Sequence, residues 1–159
     1  ETAKFFEENH LQGNSPAKIK LGLKFNGQLV AAMTFGSLRK SLGGKAEEGS
    51  FEMYRFANKL DTTVVGGASK LLKGFIRRHS PERIISFAMK DWSTGNMYKK
   101  LGFTEIKRTG PSYWYIEKSN LTRYHRFSFR KDVLVKNGAD PTLSEYQIMN
   151  SMNYYRIWD

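Results

Sequence analysis

Two runs of sequence, F-E-M-Y-R-F (Phe51–Phe56) and V-V-G-G-A-S-K-L (Val64–Leu71), carry the strongest structural signal in this chain of 159 residues. The first run has the composition of a β-strand. The second opens a helix that we expect to reach about Arg78, since its apolar residues recur at helical spacing: Leu71, Leu72, Phe75 and Ile76. Glycines at a helix N-terminus let a phosphate approach the free backbone N–H groups. The spacing matches neither G-x-x-x-x-G-K-[ST] nor G-x-G-x-x-G, so a plain tight turn stays open as an alternative.

The residues before this pair predict a short helix and a hairpin. Residues 2–10 have the pattern of a helix. Residues 18–25 alternate in polarity, Asn26-Gly27 suits a type I′ turn, and residues 28–35 form the returning strand. The glycine-rich residues 36–50 then predict a loop.

The residues after the pair predict a mixed order of strands and helices. Arg83 to Met89 forms an apolar strand expected at the sheet centre, and Ser93-Thr94-Gly95 opens a short helix through Leu101. Residues 103–107 and 112–117 have the pattern of two further strands. Because hairpins dominate the first half, we expect an α+β fold with a mixed sheet rather than a doubly wound nucleotide-binding fold.

The C-terminal part has a different character. Residues 123–131 alternate basic and aromatic side chains, as in an exposed strand. Asp140-Pro141-Thr142 with Glu145 predicts a helix N-terminus with a capping box, and residues 154–158 predict a last strand.

The charge of the chain favours a polyanionic partner. Twenty-six Lys and Arg against fifteen Asp and Glu give a net charge of +11.

No apolar run is long enough to span a bilayer, so we expect no membrane partner and a cytoplasmic location. Without cysteine, these residues form no disulfide scaffold, cysteine zinc site or thiol catalyst. Three histidines at no metal-like spacing predict no metal site, and the first residue, Glu1, indicates a fragment or processed form.

The V-V-G-G-A run and the later N-M-Y-K-K-L-G-F run (Asn96–Phe103) together resemble the GNAT acyltransferase superfamily over roughly residues 17–118. The resemblance implies a GNAT-like mixed central sheet flanked by helices, with acetyl-CoA or another acyl-CoA as cofactor. It implies that the sheet splits to admit the pantetheine arm. The pyrophosphate would lie on the loop amides, which gives this cofactor-binding set: Val65, Gly66, Gly67, Ala68, Ser69, Lys70 and Asn96.

A second resemblance covers almost the whole chain. The runs F-E-E-N-H-L-Q-G (Phe6–Gly13), S-Y-W-Y (Ser112–Tyr115) and the closing Y-Y-R-I-W-D are similar to those of a phage-encoded family. Its members are often described as homing-endonuclease-like, and it is similar to the Mom-type proteins that modify adenine in phage DNA. An acidic residue is usual in that family where Met89 stands, and a basic one where Asp91 stands.

Three residues are candidates for catalysis. Tyr98 resembles the GNAT tyrosine that protonates the departing thiolate, and a phenol is protonated at neutral pH. Glu52 is the best-placed carboxylate to deprotonate an amine, and His10 is the histidine most suited to catalysis or substrate contact. Alternation of the strand places Glu52 and Arg55 on opposite faces. Alternatively, Tyr98 is an amphipathic core residue and Glu52 is part of an ion pair across strands.

Nucleic acid is the expected partner of the basic run after residue 119. Its candidate residues are Arg123, Tyr124, Arg126, Arg130 and Lys131, with a solvated edge strand as the alternative. Asp91 and Trp92 follow a strand at the edge where sheet proteins bind ligands. We expect a core domain at residues 1–118 and a basic extension, packed on it, at residues 119–159.

Two functions stay open on the sequence. The first is an acyl-CoA-dependent N-acyltransferase acting on a DNA-associated amine or nucleobase, in an infected bacterial cell. The second is a non-catalytic GNAT-like DNA-binding domain that accompanies a nuclease domain in a longer chain, which the residues at 89 and 91 favour.

Overall fold

The structure is a computed structural model that describes residues 1–39, 47–89, 93–108 and 110–158. It divides into two compact units, Glu1–Thr104 and Glu105–Asp159. The elements of the first unit are, in chain order, α1 (Thr2–Asn9), β1 (Ile19–Phe25), β2 (Gln28–Gly36), β3 (Ser50–Asn58), α2 (Gly67–His79), β4 (Arg83–Ser86) and α3 (Asn96–Lys100). The second unit contains β5 (Tyr113–Glu117), β6 (Arg123–His125), a 3-10 helix (Arg126–Phe129), α4 (Lys131–Lys136), α5 (Glu145–Ser151) and β7 (Tyr154–Trp158).

The first unit is built on a four-stranded mixed sheet with the order β1-β2-β3-β4. Strands β1, β2 and β3 are antiparallel, and β4 pairs parallel to β3. The predicted hairpin is confirmed, since Asn26 and Gly27 have φ values of 49° and 79°, as a type I′ turn requires. β4 is the last strand of this sheet, whereas the apolar run had predicted a central one.

Helices pack on both faces of this sheet. On one face α2 contributes Leu71, Leu72 and Phe75 to a core with buried residues of β1, β2 and β3, and residues of α3 pack against the same core. On the other face Phe5 and Phe6 of α1 pack against Ala32 and Ala57. The sheet therefore separates an α2 side from an α1 side.

A β-bulge at Tyr54 changes the face on which the later residues of β3 lie. Phe35 pairs with Met53, but Thr34 pairs with Arg55, so Tyr54 is an extra residue on β3. Beyond the bulge the alternation is shifted by one position, and Glu52 and Arg55 lie on the same face. The prediction that these two charges face opposite sides is wrong for this reason.

Strand β3 extends beyond its pairing with β4. The parallel ladder joins Ser50–Met53 to Arg83–Ser86, and β3 then continues to Asn58 with β2 as its one neighbour among the described residues. In the described residues the two strands thus part at Met53 and Ser86, and we call the place beyond this last pair the gap between β3 and β4.

The second unit has a three-stranded antiparallel sheet with the order β6-β5-β7. Tyr115 of β5 is fully buried against Leu134 of α4 and Ile148 and Met149 of α5. The predicted domain boundary lay at residue 118, but the second unit begins at Glu105, since β5 pairs with β6 and β7.

Several predicted elements differ from the observed ones. Residues 103–107 form no strand, and the basic run is a strand only at Arg123–His125 before it becomes a 3-10 helix. The capping box is formed by Ser144 and Gln147 instead of Thr142 and Glu145. Thr142 instead donates two hydrogen bonds to the Asp140 carboxylate, from its amide at 2.8 Å and from its hydroxyl at 2.6 Å. It therefore does not cap α5. Residues 40–46 of the predicted loop, Asp91 and Trp92 lie outside the described residues.

The bulge gives a stability prediction for Gly36. A Cβ at this position would lie 2.5 Å from the Tyr54 hydroxyl oxygen and 2.7 Å from two ring carbons. Tyr54 must then leave its hydrogen bond to the Ser37 carbonyl and its contact with Arg39, so we expect Gly36→Ala to lower the free energy of unfolding by about 1–3 kcal/mol. Gly74→Ala is the matched control, because Gly74 lies inside α2 and a Cβ there would lie 3.8 Å from its nearest neighbour. It should raise that free energy by about 0.5–1 kcal/mol in urea denaturation. Equal effects of the two substitutions would contradict this account of the bulge.

Candidate active site

The N-terminus of α2 is open to an anion. Gly66 is the N-cap residue, has a φ of 69° in the left-handed region, and no side chain caps this end. A Cβ at Gly66 would meet no atom within 4 Å, and Val65 beside it is 93% exposed. The uncapped amides and the positive end of the helix dipole therefore face accessible space, as the sequence predicted for a phosphate site.

The other predicted cofactor residues divide between this loop and α3. Gly67 is buried, its amide donates to the Val64 carbonyl at 3.0 Å, and Ala68 packs against the core. Lys70 is exposed in the first turn of α2, which contains no acidic residue. Ser69 lies between Ala68 and Lys70 in the same turn. Asn96 is exposed at the start of α3. The loop amides and Lys70 thus form one basic helix terminus, and Asn96 belongs to another element.

This helix terminus lies at the end of the sheet where β3 finishes, beyond the last pair of β3 and β4. A Cβ at Gly67 would lie 3.6 Å from Cδ1 of Leu23, which pairs with Ala31. Ala31 in turn pairs with Asn58, the last residue of β3. The start of α2 is therefore level with the carboxyl end of β3, where the strands have parted.

Tyr98 places its hydroxyl at the point where β4 ends. The hydroxyl donates to the Phe87 carbonyl at 3.3 Å and lies 3.3 Å from Ser86 Oγ. Ser86 Oγ lies 3.0 Å from the Met53 carbonyl, in the last pair of the parallel ladder. The ring contacts Phe103 edge to face at 5.7 Å. Tyr98 is therefore a core residue on its ring side and a proton donor beside the gap at its hydroxyl.

Glu52 is fully buried and bound to Arg39. One carboxylate oxygen accepts from the Arg39 backbone amide at 2.9 Å, and the other accepts from its Nε at 2.6 Å and forms an ion pair with Nη2. The predicted alternative, an ion pair, is what the structure shows, although the partner lies after β2 rather than on a facing strand. Arg39 was missed on the sequence because it lies in a glycine-, lysine- and serine-rich segment that predicts only a loop.

Arg55 is a second cation of the same region, half-buried at the bulge. Its Nε donates to the Gly13 carbonyl at 3.3 Å and its Nη1 to the Tyr54 carbonyl at 3.0 Å. Burial and the charge of Arg39 lower the pKa of Arg55, while Tyr98 and Glu52 raise it. Arg55 is therefore held by backbone carbonyls, within electrostatic range of both predicted catalytic groups, Tyr98 and Glu52.

His10 lies beside Arg55, at the end of α1. Its Nδ1 accepts from the Gln12 amide at 3.0 Å, and its ring contacts Phe6 edge to face at 6.0 Å. Burial and, to a smaller extent, the charge of Arg55 lower the pKa of His10. At neutral pH the ring is therefore neutral, and the bond to Nδ1 places the proton on Nε2.

The structure thus brings four groups to one region of the first unit. Arg55 interacts electrostatically with Tyr98, Glu52 and His10, and the side-chain amide of Gln12 contacts Met89 just beyond β4. Strand alternation had predicted opposite faces of the sheet for Glu52 and Arg55, and the bulge places them on the same face.

The predicted nucleic-acid residues do not share one surface. Tyr124 packs against Phe129 and Tyr154 and donates its hydroxyl to Glu117, so it belongs to the core side of its sheet. Arg130 forms an ion pair with Asp132. Arg126 lies over the rings of Tyr113 and Phe127, while Lys131 is exposed at the start of α4. Arg123 is exposed and lies 4.2 Å over the Trp114 ring.

The fold matches that of solved N-acetyltransferases. The ribosomal-protein-S18-alanine N-acetyltransferase from Escherichia coli has a TM-score of 0.51 and 13% sequence identity, over 77% of this chain and 79% of that chain. The ribosomal-protein-alanine N-acetyltransferase from Brucella melitensis biovar Abortus 2308 has a TM-score of 0.42 and 16% identity, over 57% of this chain and 64% of that chain, which is less than two thirds of its length. The E. coli structure confirms the predicted GNAT-like α+β fold. Models of known protein families and curated protein sequences give no match.

Among the described residues no helix is long and apolar enough to cross a membrane. In the same part of the chain, no group of three or more His, Asp or Glu side chains is placed to hold a metal ion.

The lowered pKa of His10 gives a prediction about stability and pH. Since folded His10 binds a proton less readily than the unfolded chain, unfolding takes up a proton below about pH 6.5. Its contribution to stability is therefore complete above that pH and is lost as the pH falls through the pKa of the folded state. In His10→Asn, whose side-chain oxygen still accepts from the Gln12 amide, the loss of stability between pH 7 and pH 5 should be smaller. Thermal melts of both proteins across this range test it, and parallel curves would contradict it.

Proposed function

We propose that the chain is an acyl-CoA-dependent N-acyltransferase. One observation carries the proposal: in a GNAT-like sheet an uncapped helix N-terminus lies level with the end of β3, and a tyrosine hydroxyl lies at Ser86, where β4 stops pairing with the same strand. An anion-binding terminus beside a slot between strands suits a ligand with a pyrophosphate at one end and a narrow reactive arm at the other.

The residues present fit the coenzyme. The amides of Gly66, Ala68 and Ser69 and the ammonium of Lys70 would hold the pyrophosphate, because no side chain caps this end and its first turn contains no acid. The edge of β3 from Tyr54 to Asn58, with which no described strand pairs on the β4 side, would bind the amide-bearing arm through backbone groups. When bound, an acyl-CoA supplies an activated acyl group and a thiolate leaving group.

Tyr98 is the proposed general acid. Its proton already lies in a hydrogen bond to the Phe87 carbonyl at the end of β4, beside the gap. Transfer of that proton to a departing thiolate requires only that Tyr98 exchange one acceptor for another.

The neighbouring cations favour a neutral amine at the site. Among the described residues of this cluster, two cations, Arg39 and Arg55, interact with one carboxylate, Glu52. Their positive charge disfavours the protonated, cationic form of a bound amine. We propose that the acceptor amine loses its proton to solvent as it enters the site. In this arrangement Glu52 positions Arg39, and neutral His10 contacts the substrate through Nε2–H. The direct base roles of Glu52 and His10 stay predictions.

The proposed acceptor is an amine of DNA or of a nucleobase, in phage biology. The net charge of +11 supports a polyanionic substrate, and the resemblance to Mom-type proteins supports a nucleobase. A second candidate is a non-catalytic DNA-binding module. It is favoured by one observation, that Glu52 and His10 are both engaged by other groups of the protein.

A matched pair of substitutions at Gly66 tests the coenzyme site. Asp and Asn have the same size and tolerate a positive φ better than most side chains, and a Cβ here would meet no atom within 4 Å. Gly66→Asp places a negative charge against the phosphates, so its Kd for acetyl-CoA should exceed that of Gly66→Asn by about tenfold or more. Calorimetric titration measures both constants.

The outcomes separate the two candidate functions. Equal affinities of the two variants would place the phosphates elsewhere. If the unmodified protein fails to bind acetyl-CoA and binds duplex DNA, the proposal is replaced by the binding module.

Tyr98→Phe tests the acid. It should lower the rate of CoA release about a hundredfold or more while leaving the Kd for acetyl-CoA unchanged. Because these residues include no cysteine, a thiol reagent reports only the CoA released, with adenine-containing oligonucleotides as acceptors. An unchanged rate would remove Tyr98 from the mechanism.

A further inference from the structure

The sheet of the second unit has a face that its helices leave uncovered. Helices α4 and α5 pack on the side of Tyr115. The residues on the opposite side, which we call the outer face, form two rows across the three strands. The register places Arg123, Ile116 and Tyr155 in one row, and His125, Trp114 and Ile157 in the other. None of these six residues belongs to the buried core of the unit.

Two cations of this region lie over aromatic rings. The Arg123 guanidinium lies 4.2 Å from the centroid of Trp114, and the Lys118 ammonium lies 4.2 Å from that of Tyr155. His125 meets Trp114 edge to face at 4.7 Å. Arg123 and Tyr155 are exposed, and Tyr155 retains 56% of its accessible surface. The outer face therefore presents positive charge and planar groups side by side.

The nearest carboxylate of these strands is directed elsewhere. Glu117 accepts hydrogen bonds from Ser119, Asn120 and Tyr124, and Tyr124 packs on the core side of the sheet. The rows themselves contain no acidic residue. An anionic partner thus meets no opposing charge from this set.

We propose that the outer face binds single-stranded nucleic acid. Bases stack on aromatic rings and on arginine guanidinium planes, and a sheet surface with such groups accommodates successive unpaired bases. Tyr155 supplies one stacking surface. The guanidinium of Arg123, supported from below by the Trp114 ring, supplies another, and Lys118 pairs with a phosphate. A duplex fits less well, since its bases present their edges rather than their faces.

This site differs from the basic run predicted on the sequence. Of that run Arg123 and His125 lie on the outer face, while the aromatic residues Trp114 and Tyr155 come from β5 and β7. The inference does not depend on acyl transfer, because all its residues belong to the second unit.

The test measures fluorescence anisotropy of labelled twelve-nucleotide oligo(dT) and oligo(U) with the full chain. Tyr155→Thr retains a β-forming residue on an edge strand and should weaken binding about tenfold. Tyr146→Gln is the matched control, because Tyr146 is 47% exposed and also lies under a cation, Arg156 at 4.5 Å, but on α5. It should leave the affinity unchanged.

A second substitution covers the charge. Arg123→Gln should weaken binding and make it less sensitive to salt, because the slope of log Kd against log salt falls by about 0.7 for each phosphate that the protein no longer neutralises. Lys136→Gln, which removes one charge from α4, should leave the affinity unchanged. Circular dichroism confirms that each variant folds. If Tyr155→Thr does not fold, the affinity of Arg123→Gln tests the proposal.

Three outcomes would overturn the proposal. They are no binding of either oligonucleotide, equal losses of affinity in the outer-face and control variants, and duplex binding as tight as single-strand binding that does not respond to Tyr155→Thr. A preference for one of the two oligonucleotides supports the proposal and identifies the nucleic acid as DNA or RNA.

Discussion

Tyr54 occupies an extra position in β3, and the chemistry of the first unit is arranged around this bulge. It brings Glu52 and Arg55 to one face of the sheet. It also follows directly after Met53, the last residue of β3 that pairs with β4 in the described residues, so the strand edge without a described partner begins beside the two arginines. The Tyr54 hydroxyl bonds to the Ser37 carbonyl and its ring lies under Arg39, so the same residue positions the cation that neutralises buried Glu52. Breaking this buried ion pair by removing Arg39 would cost about 3–5 kcal/mol.

Local sequence signals predicted the elements whose causes are local. The Asn26-Gly27 turn, the start of α2 and the helix stopped near Gly102 each depend on a few neighbouring residues, and each is present. The bulge was not predictable in this way, since it depends on the register with β2 and on the space above Gly36, a residue of the other strand. The Arg39 pair was missed for the same reason. At residues 140–147 two capping arrangements compete, and only the packing of α5 selects the later one.

The two units divide the proposed roles. The first has the GNAT-like fold, the open helix terminus and Tyr98. The second has an aromatic and basic sheet face, built from residues of β5, β6 and β7 rather than from the basic run alone. An N-acyltransferase that modifies a nucleobase requires both a coenzyme site and a surface that holds an unpaired base, and the two proposals together describe such a protein. Each rests on its own residues and is tested by its own variants.

The central claim is that the start of α2 and the unpaired edge of β3 form a single coenzyme site. Hydrogen–deuterium exchange with and without saturating acetyl-CoA tests it most directly, since both parts are defined by free backbone amides. The account predicts slower exchange in the peptides covering residues 64–70 and 54–58 at the same acetyl-CoA concentration, and only the first effect with inorganic tripolyphosphate. Protection confined to residues 64–70 with acetyl-CoA, or absent from both segments, would contradict it.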